Sequence, residues 1–199
     1  MSAIPVMELF YTIQGEGIHA GKPAFFIRLG GCDIGCHWCD VKESWDAKNH
    51  PKMEVGGIVE SAKQSGANMV VITGGEPLMY DLDELTRVLK QEGFNTHLET
   101  AGANPLTGVW DWICISPKKN KQPLVENLSE ANELKMIIYN QSDFSWAEKW
   151  AECVDIKCAK LLQPEWSKQQ EMQTKIIDYV MDHNEWQISL QTHKFLNIP

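Results

Sequence analysis

The chain has 199 residues, 43% of them hydrophobic, with 18 Lys and Arg against 27 Asp and Glu and a formal charge of -9. That apolar content supports one packed domain and excludes a disordered chain, while the negative balance excludes a general surface for nucleic acid or anionic membranes. No apolar run reaches the length of a membrane span and the first residues lack a leader pattern, so the 6 cysteines are expected in a reducing cytoplasm, where clustered thiols bind metal.

Residues 6–13 read as a short extended segment, broken by the turn Gln14-Gly15-Glu16-Gly17. Residues 24–29 (Ala-Phe-Phe-Ile-Arg-Leu) form a nearly continuous apolar run, the mark of a buried strand. Gly30-Gly31 ends it and opens a loop with Cys32, Cys36 and Cys39, spaced C-x3-C-x2-C. Apolar residues at Val55, Ile58, Val59 and Ala62 have helical spacing. A second buried strand, 68–73, stops at Gly74-Gly75-Glu76-Pro77, and Leu82, Leu85, Val88 and Leu89 mark the helix after it, with Gly93 as its stop.

Strands follow at 94–98, 112–115, 134–139, 160–162 and 186–192, with helices over 142–153 and 167–184 and a tail from His193. Strand, Gly- or Pro-bearing loop and helix repeat along the chain, which predicts an α/β fold with a parallel sheet. About six or seven strands are too few for a complete eight-fold barrel. The segment 102–111 is too short for a full crossover helix. The expected architecture is therefore a partial, incomplete parallel β/α barrel with reduced helices, in a single domain over residues 1–199.

Three thiolates without a local fourth leave a metal position open. An electron-transfer iron–sulfur cluster takes four cysteines, so an incomplete set points to a site that binds a further ligand. The spacing alone also suits structural zinc, with His37, Asp40 or a distant cysteine as fourth ligand. Paired glycines after a strand allow close backbone approach, although a lone Gly-Gly-Glu-Pro also reads as an ordinary turn. Cys114, Cys153 and Cys158 read as buried small hydrophobes. His19, His50, His97 and His183 carry no pattern, and His193 and Lys194 carry a weak one.

The cysteine loop and Gly-Gly-Glu-Pro together resemble the radical S-adenosylmethionine superfamily. The finer resemblance is to the 7-carboxy-7-deazaguanine synthase family of queuosine biosynthesis. It rests also on 12–17 (Thr-Ile-Gln-Gly-Glu-Gly), 26–28 (Phe-Ile-Arg), 99–102 (Glu-Thr-Ala-Gly), 116–118 (Ser-Pro-Lys), 162–164 (Leu-Gln-Pro) and the terminal 191–199 (Gln-Thr-His-Lys-Phe-Leu-Asn-Ile-Pro). A glycyl-radical activase would share the first two motifs but would not need the others.

The resemblance implies that Cys32, Cys36 and Cys39 hold a [4Fe-4S] cluster on a loop spanning 30–45. S-adenosylmethionine would lie against Trp38, Asp40, Gly74, Gly75, Glu76, Gly102, Ser116, Pro117, Lys118, Gln163, Pro164, Glu165 and Trp166. Ile13, Gln14, Gly15, Arg28, Thr100 and Pro199, on a docked C-terminal tail, would hold a pterin. The implied reaction converts 6-carboxy-5,6,7,8-tetrahydropterin to 7-carboxy-7-deazaguanine with loss of ammonia. The cluster and S-adenosylmethionine carry the chemistry, so no side chain is assigned a catalytic role.

A flavodoxin or ferredoxin as electron donor and a homodimer are implied in the same way. Read as residues, Gln14 could pair with the amide-like edge of a pterin, and Arg28 with its carboxylate. Arg28 could equally form an ion pair with Glu16 or Glu99, and Thr100 could be a turn cap. One position departs from the family: a magnesium-ligating Ser or Thr usually follows the Asp after the third cysteine, and here it is Val41. Magnesium is then held by the substrate, water and a group such as Asp40, or the dependence is reduced.

Overall fold

In a computed structural model that describes residues 3–199, nine strands form one sheet in the order β3-β1-β2-β4-β5-β6-β7-β8-β9. The strands are β1 (Ala3–Ile13), β2 (Pro23–Leu29), β3 (Lys52–Glu54), β4 (Met69–Gly74), β5 (Asn95–Thr100), β6 (Trp112–Ile115), β7 (Glu133–Ile138), β8 (Ala159–Pro164) and β9 (Trp186–Ile188). The helices are α1 (Val55–Ser65), α2 (Asp83–Gln91), the single turn α3 (Val125–Leu128), α4 (Ser142–Ala151), α5 (Gln169–Asp182) and α6 (Thr192–Leu196).

From β2 through β4 to β9 every neighbouring pair is parallel, so seven strands make the parallel sheet. The sheet has two free edges and is not a closed barrel. β1 runs antiparallel to both β2 and β3. The segment expected to be too short for a helix, 102–111, contains none.

The final strand is shorter than the sequence suggests, because the chain leaves the sheet after Ile188 and residues 192–196 wind into α6 instead of a plain tail. Cys153 is also more open than expected: it is half-buried, while Cys114 and Cys158 are buried.

Successive side chains of a strand face opposite ways. One face carries Phe25, Ile27, Leu29, Val70, Ile72, Leu98, Ile113, Ile115, Leu134, Met136, Ile138 and Leu162, which pack with α1, α2, α4 and α5 into the main core. The other face is polar towards the carboxyl ends of the strands, with Arg28, Thr73, Glu99, Ser116, Lys135 and Gln163. The helix-covered face supplies the apolar burial. The opposite face and the loops after β2, β4, β5, β6 and β8 are left to form a site.

Leu134 is fully buried at the centre of the packed face. Leu134→Ala is expected to lower the unfolding free energy by about 2–5 kcal/mol in urea denaturation; a change under about 0.5 kcal/mol would place the core elsewhere.

Candidate active site

The three cysteines of the loop after β2 all border one cavity of about 290 Å³ at the carboxyl ends of the strands. The loop is fixed at both ends. The Gly31 N–H donates to the Ser44 carbonyl (2.6 Å) and the Cys32 N–H to the Trp45 carbonyl (3.1 Å). Further out, Asp33 pairs with Lys121 (2.6 Å), and the Asn120 amide donates to the Gly35 carbonyl (2.6 Å).

The thiols are free and half-buried. Burial raises the Cys32 and Cys36 thiols, and at Cys36 the half-buried Lys118 charge acts the other way. The Trp45 indole N–H donates to Cys39 Sγ at 3.4 Å.

Gly74 and Gly75 explain why the motif after β4 needs two glycines. A Cβ on Gly74 would lie 2.2 Å from the Leu29 carbonyl oxygen, and one on Gly75 1.9 Å from that of Gly31 and 2.9 Å from Cys32 Cβ. The close approach they permit is to the end of β2 at Gly74 and to the start of the cysteine loop at Gly75. The Gly75 N–H donates to Leu29 and the Glu76 N–H to Gly31. Glu76 then reaches the next loop. Its buried carboxylate accepts from the Thr100 hydroxyl, from the Ala101 N–H (2.8 Å) and from the Leu78 N–H (3.0 Å). Burial pushes its pKa up against those donors.

A charged network forms the opposite wall. Lys135, 3% exposed, sends its ammonium to Glu16 (2.6 Å) and Glu99 (2.9 Å). Burial alone pushes the Glu16 carboxyl up. The Lys135 charge and hydrogen bonds from Lys135, Gln191 and Gln163 outweigh it and bring the pKa down to about 2. Glu99 accepts from Gln14 Nε2 (2.8 Å), and Glu16 accepts from Gln191 Nε2 (2.9 Å). The C-terminal segment closes over this wall. The Thr192 N–H and hydroxyl both donate to the Gly15 carbonyl (2.8 Å each), and Lys194 pairs with Asp40 (2.8 Å).

The cavity gathers most of the residues expected to meet S-adenosylmethionine: Trp38, Asp40, Gly74, Gly75, Glu76, Ser116, Lys118, Gln163, Pro164, Glu165 and Trp166. Every residue expected to meet a pterin borders it too: Ile13, Gln14, Gly15, Arg28, Thr100 and Pro199. Gly102 and Pro117 do not. Gly102, at φ 72, turns the chain after β5, and its carbonyl accepts from Asn127.

Arg28 pairs with neither Glu16 nor Glu99. Its Nε donates to Glu8 (2.5 Å), the residue facing it across β1 and β2, and the guanidinium lies 5.4 Å over the Phe10 ring. Thr100 does cap the turn, accepting from the Gly102 N–H (2.9 Å). The candidate fourth ligands of a zinc site make other contacts. His37 stands edge-on to Tyr139 (5.3 Å), Asp40 is paired with Lys194, and Cys114 donates to Glu133 (3.4 Å).

The Radical SAM superfamily profile matches residues 26–118. A relative from Flavobacterium psychrophilum named 7-carboxy-7-deazaguanine synthase is 57% identical, over 98% of this chain and 93% of its own. The chain belongs to the 7-carboxy-7-deazaguanine synthase family. A Synechocystis relative of the same name is 49% identical over 98% of this chain and 93% of its own. The crystal structure of QueE from Escherichia coli superposes with a TM-score of 0.87 at 31% identity, covering 96% of this chain and 95% of that one.

Several cavity residues of this family member were given no site role by the sequence, Glu16, Glu99, Gln191 and His193 inside the quoted motifs and Lys135 outside them. Lys135 had a usable signal. It is a charge at an alternating position in a strand whose neighbours Leu134, Met136 and Ile138 are fully buried.

Removing one partner of a buried ion pair leaves an uncompensated charge. Lys135→Met is expected to cost about 3–5 kcal/mol in urea denaturation, and a loss under about 1 kcal/mol would contradict the network.

A depressed carboxylate stabilises the fold above its unfolded pKa and loses that contribution as pH falls through the folded value. The Glu16 contribution should therefore fade between about pH 4.5 and about 2. Stability measured against pH should fall less steeply in that window for Glu16→Gln than for the parent chain; equal slopes would contradict the assignment.

Proposed function

We propose that the chain is a radical S-adenosylmethionine lyase that converts 6-carboxy-5,6,7,8-tetrahydropterin to 7-carboxy-7-deazaguanine, releasing ammonia, in the 7-deazapurine (queuosine) pathway. The observation that carries this reading is the convergence on one cavity of the three loop thiols with Gln14, Arg28 and Thr100. The 57% identity to a relative of that name supports it.

The donor set fits a [4Fe-4S] cluster. Three free thiols stand on one short loop, with an indole N–H aimed at one sulfur and the half-buried Lys118 ammonium acting on another. Cys32, Cys36 and Cys39 would hold the cluster, which with S-adenosylmethionine supplies a radical able to take one hydrogen from the pterin.

The chain's own residues bind and orient. Lys118 donates to the Ser116 carbonyl and hydroxyl (2.6 Å each) and lies 5.7 Å over the Trp38 ring, fixing both walls of the S-adenosylmethionine side. Glu76, locked by Thr100 and Ala101, holds the Gly-Gly turn against the cysteine loop. Gln14 is gripped at both ends, its NH₂ by Glu99 and its oxygen by the Glu16 N–H (3.1 Å), so its amide plane is set before a pterin arrives. Arg28 offers a cation to the substrate carboxylate, which would compete with the partly exposed Glu8. Trp166, edge-on to Phe195 at 5.4 Å, borders the cavity and would limit water there.

Magnesium does not fit this residue set, because Val41 presents no oxygen and Asp40 is already paired with Lys194. Among the described residues no helix is long and apolar enough to cross a membrane. A cytoplasmic location, a homodimer and a flavodoxin or ferredoxin as reductant belong to the same reading.

Anaerobic incubation of the iron-reconstituted chain with the carboxy-tetrahydropterin, S-adenosylmethionine and dithionite should yield 7-carboxy-7-deazaguanine by liquid chromatography and mass spectrometry. Cys36→Ala should abolish product while Cys114→Ala keeps most of it. Absence of product from the intact chain would overturn the assignment.

A further inference from the structure

Five Asp and Glu side chains border the cavity, and each is already engaged. Glu16 and Glu99 share the Lys135 ammonium. Glu76 accepts from Thr100, Ala101 and Leu78. Glu165 accepts from the Ser167 hydroxyl (2.5 Å). Asp40, beside the third cysteine, takes the Lys194 ammonium at 2.8 Å and Gln191 Nε2 at 3.4 Å on the same oxygen.

Val41, next in the chain, borders the cavity and carries no side-chain oxygen, at the position where the family usually has a hydroxyl. A small hard cation asks for several oxygens in near-octahedral array and sheds its own water reluctantly. One neutralised carboxylate beside a valine does not offer that.

The Lys194 ammonium is held where it is by the fold. α6 is anchored through Thr192 to Gly15 and packs so tightly that a Cβ on Gly15 would lie 2.2 Å from His193 Nδ1. From that helix the Lys194 side chain, also 5.0 Å over the Trp166 ring, reaches back to Asp40. An ammonium satisfies a carboxylate with one charge and three flexible donors, and needs no coordination geometry.

We propose that this chain works without a divalent metal, and that Lys194 is the positioning residue that supplies the positive charge at Asp40. Lys194 acts through Asp40 and does not itself touch the substrate. The proposal rests on the reaction assigned above, and it predicts what that reaction does not require.

The test uses the full, iron-reconstituted chain stripped with EDTA. Magnesium chloride is titrated calorimetrically into the enzyme with S-adenosylmethionine and the carboxy-tetrahydropterin bound, without reductant. No saturable heat is expected at millimolar magnesium, and with reductant added turnover in EDTA should stay within about twofold of turnover in magnesium. Lys194→Met should lose about fivefold in kcat/KM with or without magnesium, and Lys194→Arg should recover most of it.

A saturable isotherm, or EDTA-sensitive turnover restored by magnesium, would overturn the metal-free reading. A Lys194→Met enzyme equal to the parent would overturn the role of the lysine. Inactivity under every condition would refute the assigned reaction instead, and the isotherm, which needs no turnover, would still decide the metal.

Discussion

One buried ammonium holds the cavity wall in register. Lys135 lies in the middle of the sheet, where burial alone would pull its proton off; the facing charges of Glu16 and Glu99 reverse that and raise its pKa well above the ordinary value. Each of these groups is costly to bury alone. Together they bind β7, β5 and the turn after β1 into one unit. Gln14 hangs on Glu99 and Gln191 on Glu16, so the candidate substrate contacts and the C-terminal segment inherit their positions from this charge cluster.

A second constraint sets the cysteine side. The turn after β4 packs on the cysteine loop so closely that no side chain fits at Gly74 or Gly75. Glu76 ties that turn to Thr100 and Ala101 after β5. The strand-end loops thus brace each other, and the cysteines are held by neighbouring backbone before any cofactor binds. Preorganisation of that kind lets a small fold position a reactive cofactor with few side chains.

Much of this was legible in the sequence, for physical reasons. Buried parallel strands are continuous apolar runs, so β2 and β4 stood out, and the paired motifs that follow them marked the site. Strand β3 did not, because Lys52-Met53-Glu54 is short and lies at an edge. The pairing of Arg28 with Glu8 depends on the antiparallel register of β1 and β2, which no local pattern fixes. Gly102 and Pro117 lie in the right loops but do not border the cavity; Gly102, at φ 72, turns the chain after β5. Of the charged wall, Glu16 and Glu99 lie in recognisable loops, but their cation Lys135 lies inside a strand, where with Glu133 it interrupts a run of buried apolar neighbours.

The central claim is that three cysteines leave one iron of a cluster open for S-adenosylmethionine. The most direct measurement is the electron paramagnetic resonance spectrum of the reduced, reconstituted chain before and after S-adenosylmethionine is added. A reduced [4Fe-4S] signal that changes on addition is the predicted result. A signal indifferent to S-adenosylmethionine, or a colourless protein carrying one zinc, would contradict it.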